Sequence, residues 1–365
     1  LERRGHRFAT RADTEVIVHL YEEEGEAFVS RLDGMFALAL WDERTQRLIL
    51  ARDRFGKKPL LYAEVAGRLI FASEFQALLS DESIPRVLDP AALEYYLTYM
   101  AIPAPLSIYR AIRKLPPAHL LIHDRSGTCL QRYWSLAYAP KFAISEAEAA
   151  ERLLELLTEA VRKRLIADVP LGAFLSGGVD SSAVVALMAR CSERPVKTFS
   201  IGFEEARYNE LPHARRVAQA FGCDHQEFVV RPNAVEVLPT LIEHFGEPFA
   251  DSSAIPTYYL SRLTREHVTV ALNGDGGDEA FAGYARHAAN RLAERWQAMP
   301  APLRSAADWL AGRLPATPAD RQQWQGRLSR FLQAASQSRA ARDRAGVGVI
   351  DEGLNTALLG RRNGH

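Results

Sequence analysis

The chain has 365 residues, with 45 Lys+Arg against 45 Asp+Glu and a formal net charge of zero. At about 150 residues per domain, that is enough for two domains. A 47% hydrophobic and 25% charged composition is that of a soluble globular protein. The zero balance argues against a nucleic-acid or acidic-membrane partner, and no apolar run approaches the ~20 residues that span a bilayer.

Three cysteines, Cys129, Cys191 and Cys223, stand far apart. They offer neither a disulfide framework nor a CxxC metal site, and free thiols point to a reducing cytoplasm. Of the basic residues, six are Lys and 39 are Arg, and no lysine follows Lys197. The chain opens on Leu1 and ends in Arg-Arg-Asn-Gly-His with no closing element, so both ends are expected to be cut.

The first half predicts a helix over Thr14–Glu24, then two hairpins. One joins Phe36–Trp41 to Arg47–Leu50. The other joins Leu60–Glu64 to Arg68–Phe71 through Ala66-Gly67. Pro90–Met100 reads as a helix with Asp89 as N-cap and Pro90 at its first position. This half is α+β with a mostly antiparallel sheet. Ala-Pro-Lys within Tyr138–Ile144 breaks the pattern and marks a boundary, giving domains over 1–140 and 145–365. Ser145-x-x-Glu148 is a capping box that opens an amphipathic helix.

The second half alternates strands and helices. Expected strands are Leu171–Leu175, Val196–Ile201, Gln226–Val230 and Val268–Leu272. Expected helices are Ser181–Arg190, Glu210–Phe221 (with Gly222 as its stop) and Ala254–Glu266, before an Arg-rich helical tail from Ala285. Alternation of this kind means a parallel α/β sheet, which binds ligands outside the carboxyl ends of its strands.

Three segments fall at such ends. Ser176-Gly177-Gly178-Val179-Asp180-Ser181-Ser182 follows a buried strand and opens a helix. Adjacent glycines, serine hydroxyls and a helix N-terminus make an anion cradle sized for pyrophosphate. Asp180 inside it implies a Mg²⁺ ion. Gly177 is expected to leave room for phosphate, so that Val there would block binding and spare the fold. The G-x-x-x-x-G-K-[ST] phosphate loop is absent and the loop has no lysine, which favours pyrophosphate release, hence adenylation, over γ-phosphoryl transfer. Asn273-Gly274-Asp275-Gly276-Gly277-Asp278-Glu279 is an acidic, glycine-rich loop suited to Mg²⁺–pyrophosphate or to an amine needing a base. In Phe249-Ala-Asp251-Ser252-Ser253, Asp251 or Ser252 reads either as an N-cap or as part of the same cleft.

Together these blocks resemble glutamine-hydrolysing asparagine synthase over nearly the whole chain. Leu175–Ser182 is similar to that family's pyrophosphate loop, and Asn273–Tyr284 to its acidic ATP-site loop. Asp13-Thr14-Glu15-Val16, Leu32–Ala37, Arg52–Leu61 and Phe71–Glu74 look like successive blocks of its glutaminase domain. The resemblance implies a partial glutaminase domain of the N-terminal-nucleophile type, followed by an α/β parallel-sheet adenine-nucleotide synthetase domain. It also implies an activity: aspartate and ATP–Mg²⁺ give β-aspartyl-AMP, and glutamine-derived ammonia displaces AMP to form asparagine. Carried over, Asp13 would hold the glutamine α-amino group. Leu175, Ile201, Asn273 and Gly274 would line the adenine–ribose pocket, and Ser176, Gly177, Gly178, Asp180, Ser181 and Ser182 would hold pyrophosphate. Asp180 and Asp278 would bind Mg²⁺, and Asp275 would sit near the reacting phosphorus or act on the amine.

The implied partners are small molecules (glutamine, aspartate and ATP), with no nucleic acid and no membrane; a homodimer is the candidate assembly. The family's N-terminal cysteine nucleophile and its late catalytic lysine have no match in this chain, as a fragment would predict. Phe249 and Ser252 replace polar or basic positions of some members. Relatives that adenylate other carboxylates, such as β-lactam synthetases, therefore stay as an alternative, beside a non-catalytic ATP-binding relative.

Overall fold

The computed structural model describes residues 1–204, 209–231, 233–311 and, past them, 331, 335, 337–339, 341 and 342. They fall into two compact units. One holds Leu1–Phe142 and Pro239–Asp251; the other holds Ala143–Leu238 and the described residues from Ser252 on.

The first unit is a sandwich of two antiparallel sheets between helices, and residue alternation explains it. β1 (Ala37–Asp42) and β2 (Arg47–Arg52) form the first hairpin. β6 (His119–Asp124) and β7 (Gly127–Arg132) complete a sheet in the order β1-β2-β6-β7. The second sheet has the order β4-β3-β5, from β3 (Leu61–Val65), β4 (Arg68–Ala72) and β5 (Ile112–Lys114). Successive strand residues point to opposite faces. In β2 and β6, Ile49, Ala51, Leu120 and Ile122 therefore pack with Phe28 and with Leu20 of α1 (Glu15–Glu24). Leu50 and Leu121 turn the other way and meet Leu60, Tyr62 and Leu115. Leu61, Ala63 and Ile112 face outward again, onto Phe75 and Leu78 of α2 (Phe75–Leu79). Four layers result, with two apolar seams outside and one between the sheets. α3 (Pro90–Tyr99) starts as expected, with the Asp89 carboxylate accepting from the Ala91 amide at 3.0 Å.

The second unit opens with α4 (Glu146–Arg164). Its capping box is complete: the Ser145 hydroxyl accepts from the Glu148 amide at 3.3 Å, and the Glu148 carboxylate accepts from the Ser145 amide at 2.8 Å. The parallel sheet is built from β8 (Leu171–Phe174), β9 (Lys197–Phe203), β10 (Asp224–Val230) and β11 (Val270–Leu272), in the order β10-β9-β8-β11. α5 (Val179–Cys191), α6 (Leu211–Ala220) and α8 (Ala254–Thr264) alternate with the strands; α7 (Ala234–Phe245) starts in this unit, its residues from Pro239 on belonging to the first, and α9 (Gly277–Phe281), α10 (Ala285–Gln297) and α11 (Ala301–Ala311) follow. Val161, Ala173, Val185, Met188 and Ala214 centre the core between sheet and helices. No helix among the described residues is long and apolar enough to cross a membrane.

Some expectations need correcting. The helix after Phe249 is capped at Ser253, not at Asp251 or Ser252, and without a side-chain cap bond. α7 keeps Pro239 inside it, a residue that reads as a break in sequence. The Arg-rich tail is helical through α10 and α11, and its remainder lies largely outside the described residues.

Within the first unit, Lys114 of β5 and Glu247 form a buried ion pair with side chains 15% and 12% exposed. Lys114 Nζ also donates to the Ile102 carbonyl at 2.6 Å, and the Ile108 amide donates to Glu247 at 3.3 Å. Burial pushes the Glu247 carboxyl above its ordinary range even with Lys114 against it. Removing one partner strands the other. Lys114→Ala is expected to cost about 3 kcal/mol in urea unfolding, and the paired change Lys114→Met with Glu247→Leu to recover most of it. An unchanged midpoint in Lys114→Ala would show that the pair holds nothing.

Candidate functional site

Strand order sets the place of the site. Along β10-β9-β8-β11 the chain runs outward from β8 to β10 and then returns to add β11 on the other side of β8. The order reverses between β8 and β11, and doubly wound sheets bind ligands at such a crevice. The Ser176 loop leaves β8, and the Asn273 loop leaves its neighbour β11, with Leu272 paired to Ala173. Two segments nearly a hundred residues apart in sequence thus meet at adjacent strand ends.

The two loops pack through missing side chains. A Cβ on Gly274 would lie 2.6 Å from the Ser181 amide nitrogen and 2.9 Å from the Asp180 carbonyl carbon. A Cβ on Gly277 would fall among the Asp180 carboxylate atoms, 2.6 and 2.7 Å from its oxygens. The acidic loop therefore lies directly on the first turn of α5, with Asp180 at the seam.

The serines divide their work. Ser176 and Ser181 face each other, Oγ to Oγ at 2.9 Å; the Gly178 amide donates to Ser176 at 3.2 Å, and the Ser181 hydroxyl donates to the Gly178 carbonyl at 3.3 Å. These hydroxyls hold the loop in shape rather than standing ready as free donors, as the sequence suggested. Ser182 differs: its Oγ is buried with no hydrogen-bond partner among the described residues. Gly178 is the N-cap residue of α5, and the Ser182 amide is bonded to its carbonyl at 3.0 Å. The amides before Ser182 belong to the first turn, where a helix offers its unpaired N–H groups.

Two residues sit otherwise than expected. Leu175 is a core residue, 1% exposed, so its side chain lines no nucleotide pocket. Its amide donates to the Phe199 carbonyl at 2.9 Å, and its carbonyl accepts from the Ser200 hydroxyl. Gly177 has φ +84°, and a Cβ there would meet the Ala214 amide nitrogen of α6 at 2.5 Å. Its missing side chain admits α6, not phosphate. Ile201 lies half-buried in β9, two residues beyond Phe199.

On the acidic loop, the Asn273 side-chain amide Nδ2 donates to Asp275 Oδ2 at 2.6 Å, and the Asp275 backbone amide donates back to Asn273 Oδ1 at 3.3 Å. Glu279 accepts from the Tyr284 hydroxyl at 2.5 Å, and that bond raises the Tyr284 pKa. The Arg286 guanidinium lies 4.1 Å above the Tyr284 ring, a partner that sequence reasoning passed over. Among the described residues, Asp180, Asp275 and Asp278 are in no group of three whose donor atoms all lie within 4.8 Å of one another. The acids alone do not form a cage. Partly buried carboxylates at Asp180 and Asp278 do suit a hard cation that draws its remaining oxygens from phosphate and water.

In the first unit, Asp13 is exposed on the turn before α1. Its neighbour Glu15 fixes that turn, accepting from the Ala9 and Thr10 amides at 2.6 and 2.7 Å and from the Thr10 hydroxyl at 2.5 Å. The Thr10 hydroxyl bond leads in lowering its pKa to about 2. Arg52 and Asp53 organise the next block. Arg52 donates to the carbonyls of Gly56, Lys58 and Leu115, and buried Asp53 accepts from the amides of Phe55, Lys57 and Lys58. Cys129 is exposed on β7 and Cys191 ends α5; burial pushes the Cys223 thiol up. None of the three lies on either glycine-rich loop.

An α+β antiparallel sandwich joined to a doubly wound α/β sheet with paired glycine loops at its switch point defines the class of chain. The chain belongs to the asparagine synthase family: the model described as "Asparagine synthase" matches residues 152–355, and that described as "Glutamine amidotransferase domain" matches residues 1–134. The chain is 34% identical over 286 residues to Asparagine synthetase [glutamine-hydrolyzing] 1 of Bacillus subtilis, covering 78% of this chain and 45% of that protein. It is 38% identical over 285 residues to Putative asparagine synthetase [glutamine-hydrolyzing] 2 of Methanocaldococcus jannaschii, covering 76% and 55%. Amidase chyE of Penicillium rubens is 31% identical over 318 residues, covering 80% and 46%. The chain spans about half the length of the curated relatives it matches.

Gly177→Ala separates a packing role from a phosphate-clearance role. Left-handed backbone plus the clash with α6 should cost roughly 2 kcal/mol or more in unfolding free energy. Gly178→Ala has ordinary φ −69° and only Ser176 Oγ at 3.3 Å, so it should cost under about 1 kcal/mol. Equal unfolding midpoints for the two variants would refute the packing assignment.

Proposed function

We propose that the second unit binds ATP–Mg²⁺ across the Ser176 and Asn273 loops and adenylates a carboxylate, aspartate in the first instance. Ammonia taken from glutamine in the first unit then displaces AMP and leaves an amide. The proposal assigns 1–140 as the glutamine amidotransferase domain and 145–365 as the synthetase domain, acting in the cytoplasm. The observation that carries it is the close packing of Gly274 and Gly277 on Asp180–Ser181 at the strand-order reversal.

In this reading the first-turn amides of α5 hold the β- and γ-phosphates, and buried Ser182 Oγ supplies a donor without a partner among the described residues. The carboxylate oxygen attacks the α-phosphorus, the bond to the bridging oxygen breaks, and pyrophosphate leaves. Nitrogen then attacks the acyl carbon, and AMP departs with the C–O bond electrons. Asp275, held by the Asn273 side chain, is assigned to take a proton from the incoming amine. Mg²⁺, when bound, neutralises charge on the departing pyrophosphate. Asp180 and Asp278 would hold it, Asp180 with its carboxylate fixed along the Gly277 backbone. Asp13, left exposed while Glu15 secures the turn, would take the glutamine α-amino group.

The charge on Asp180 makes a sign test. At ~4 Å and an effective dielectric of ~20, a like-charge pair costs about 4 kcal/mol before screening. Asp180→Asn should therefore weaken ATP binding at least tenfold in Mg²⁺ and leave it equal or tighter in EDTA, read by calorimetry. Equal loss in both media would remove the metal from Asp180. Aspartate should drive exchange of labelled pyrophosphate into ATP and release AMP. ADP as product would overturn adenylation, and exchange with another carboxylate but not aspartate would reassign the acceptor.

A further inference from the structure

The first unit contains a constellation the proposed reaction does not use. His6 Nδ1 lies 3.0 Å from His19 Nδ1, and a Glu22 carboxylate oxygen lies 3.7 Å from the first and 3.5 Å from the second. Both imidazoles are mostly buried, with side chains 12% and 18% exposed, while Glu22 is 50% exposed. The far nitrogen of each ring faces another carboxylate. His6 Nε2 is 2.9 Å from Glu23, and His19 Nε2 is 3.7 Å from Glu15. Glu23 also takes an ion pair from Arg4 at 2.8 Å, and the Phe8 ring packs edge-on to His19 with centroids 4.7 Å apart.

Proton counting makes this arrangement unsatisfied. A carboxylate only accepts, so His6 must place its N–H on Nε2 toward Glu23, which leaves a lone pair on Nδ1. If His19 likewise points its N–H at Glu15, two lone pairs face each other at 3.0 Å. If instead His19 carries its proton on Nδ1, its Nε2 lone pair faces the Glu15 carboxylate. The second tautomer gives the rings one hydrogen bond, and the Glu22 oxygen is a third electron-pair donor at the same point, so three donors share at most one proton. A cation at the centre of the three donors resolves all of this.

We propose that His6 Nδ1, His19 Nδ1 and the Glu22 carboxylate bind a borderline divalent transition-metal ion, Zn²⁺ by ligand chemistry. Tetrahedral ligation at about 2.1 Å sets donors roughly 3.4 Å apart, and the observed separations of 3.0, 3.5 and 3.7 Å bracket that value. Two imidazoles and one carboxylate suit zinc rather than a hard cation such as Mg²⁺. Glu23 and Glu15 stand where metal-bound histidines usually find the carboxylate that fixes their ring and tautomer. Phe8 shields one side, and the half-exposed Glu22 side leaves a fourth position for water. His6 comes from the segment before α1, and His19 and Glu22 from α1 itself. The ion therefore staples the first ten residues to that helix, beside the turn that carries Asp13.

The probe is Zn²⁺ alone, added to chelator-stripped chain in competition with a chromophoric zinc chelator. One equivalent should bind, and the thermal midpoint should rise with free Zn²⁺ as it does for any ligand specific to the folded state. Glu22→Gln, at a half-exposed position that tolerates the isostere, should weaken binding at least tenfold, and His19→Gln more. Glu23→Gln should weaken it about tenfold through His6 alone. Co²⁺ in place of zinc should give a tetrahedral d–d spectrum without thiolate charge transfer. Absence of stoichiometric binding, unchanged affinity in both Glu22→Gln and His19→Gln, or a cobalt–thiolate band from Cys129, Cys191 or Cys223 would each overturn the site and leave a proton shared between the two rings as the cation.

Discussion

The candidate site depends on one clearance, the approach of the acidic loop to the first turn of α5. No side chain separates Gly274 from the Ser181 amide, or Gly277 from the Asp180 carboxylate. Because β8 and β11 are neighbours at the reversal of strand order, two loops far apart in sequence close on one point. Filling either gap would push the acidic loop off the helix terminus and separate its carboxylates from the first-turn amides of α5. Ser176 and Ser181 reinforce the geometry from below, by bonding to each other and to Gly178.

The first unit follows a different constraint. Its two sheets share an apolar seam, so β2 is buried on both faces: Ile49, Leu50 and Ala51 are all inaccessible. Period-two alternation then sorts each residue to a seam, and the four layers follow without further instruction. Some polar groups that enter this interior arrive paired. Asp53 takes three backbone amides, Arg52 takes three carbonyls, and Lys114 meets Glu247. Each is a local answer to the cost of leaving a buried polar group unmet.

Sequence patterns exposed those features whose cause is local. The two hairpins, the Asp89 cap, the Ser145 capping box and both glycine-rich loops rest on neighbouring residues, and they formed close to where alternation and cap chemistry put them. β5, β6 and β7 were illegible. β5 is three residues long, and Leu120-Leu121-Ile122 in β6 is a continuous apolar run because both faces are covered. α7 was hidden by Pro239. The side to which a residue points was also beyond reach. Gly177 looked like clearance for phosphate and is clearance for Ala214; Leu175 looked like pocket lining and is core; His6 and His19 are thirteen residues apart and meet only after α1 forms.

The absence of lysine from the Ser176 loop has a consequence for how the proposed site would bind anions. Phosphate loops that carry a lysine supply a side-chain charge, which can move and be replaced. Here the positive potential comes from backbone amides at the head of α5, whose directions are fixed by the helix and by the Ser176–Ser181 pair. A site of this kind is preorganised and costs little to align when charge arrives. It is correspondingly intolerant of backbone change. An isosteric side-chain swap leaves the amides where they are, whereas a single added carbon at Gly274 or Gly277 displaces the loop that completes the site. Asp180 belongs to the same logic. As an acid in the first turn it is stabilised by the helix that carries it, so the segment proposed to attract the anion also fixes the carboxylate that a counter-ion would require.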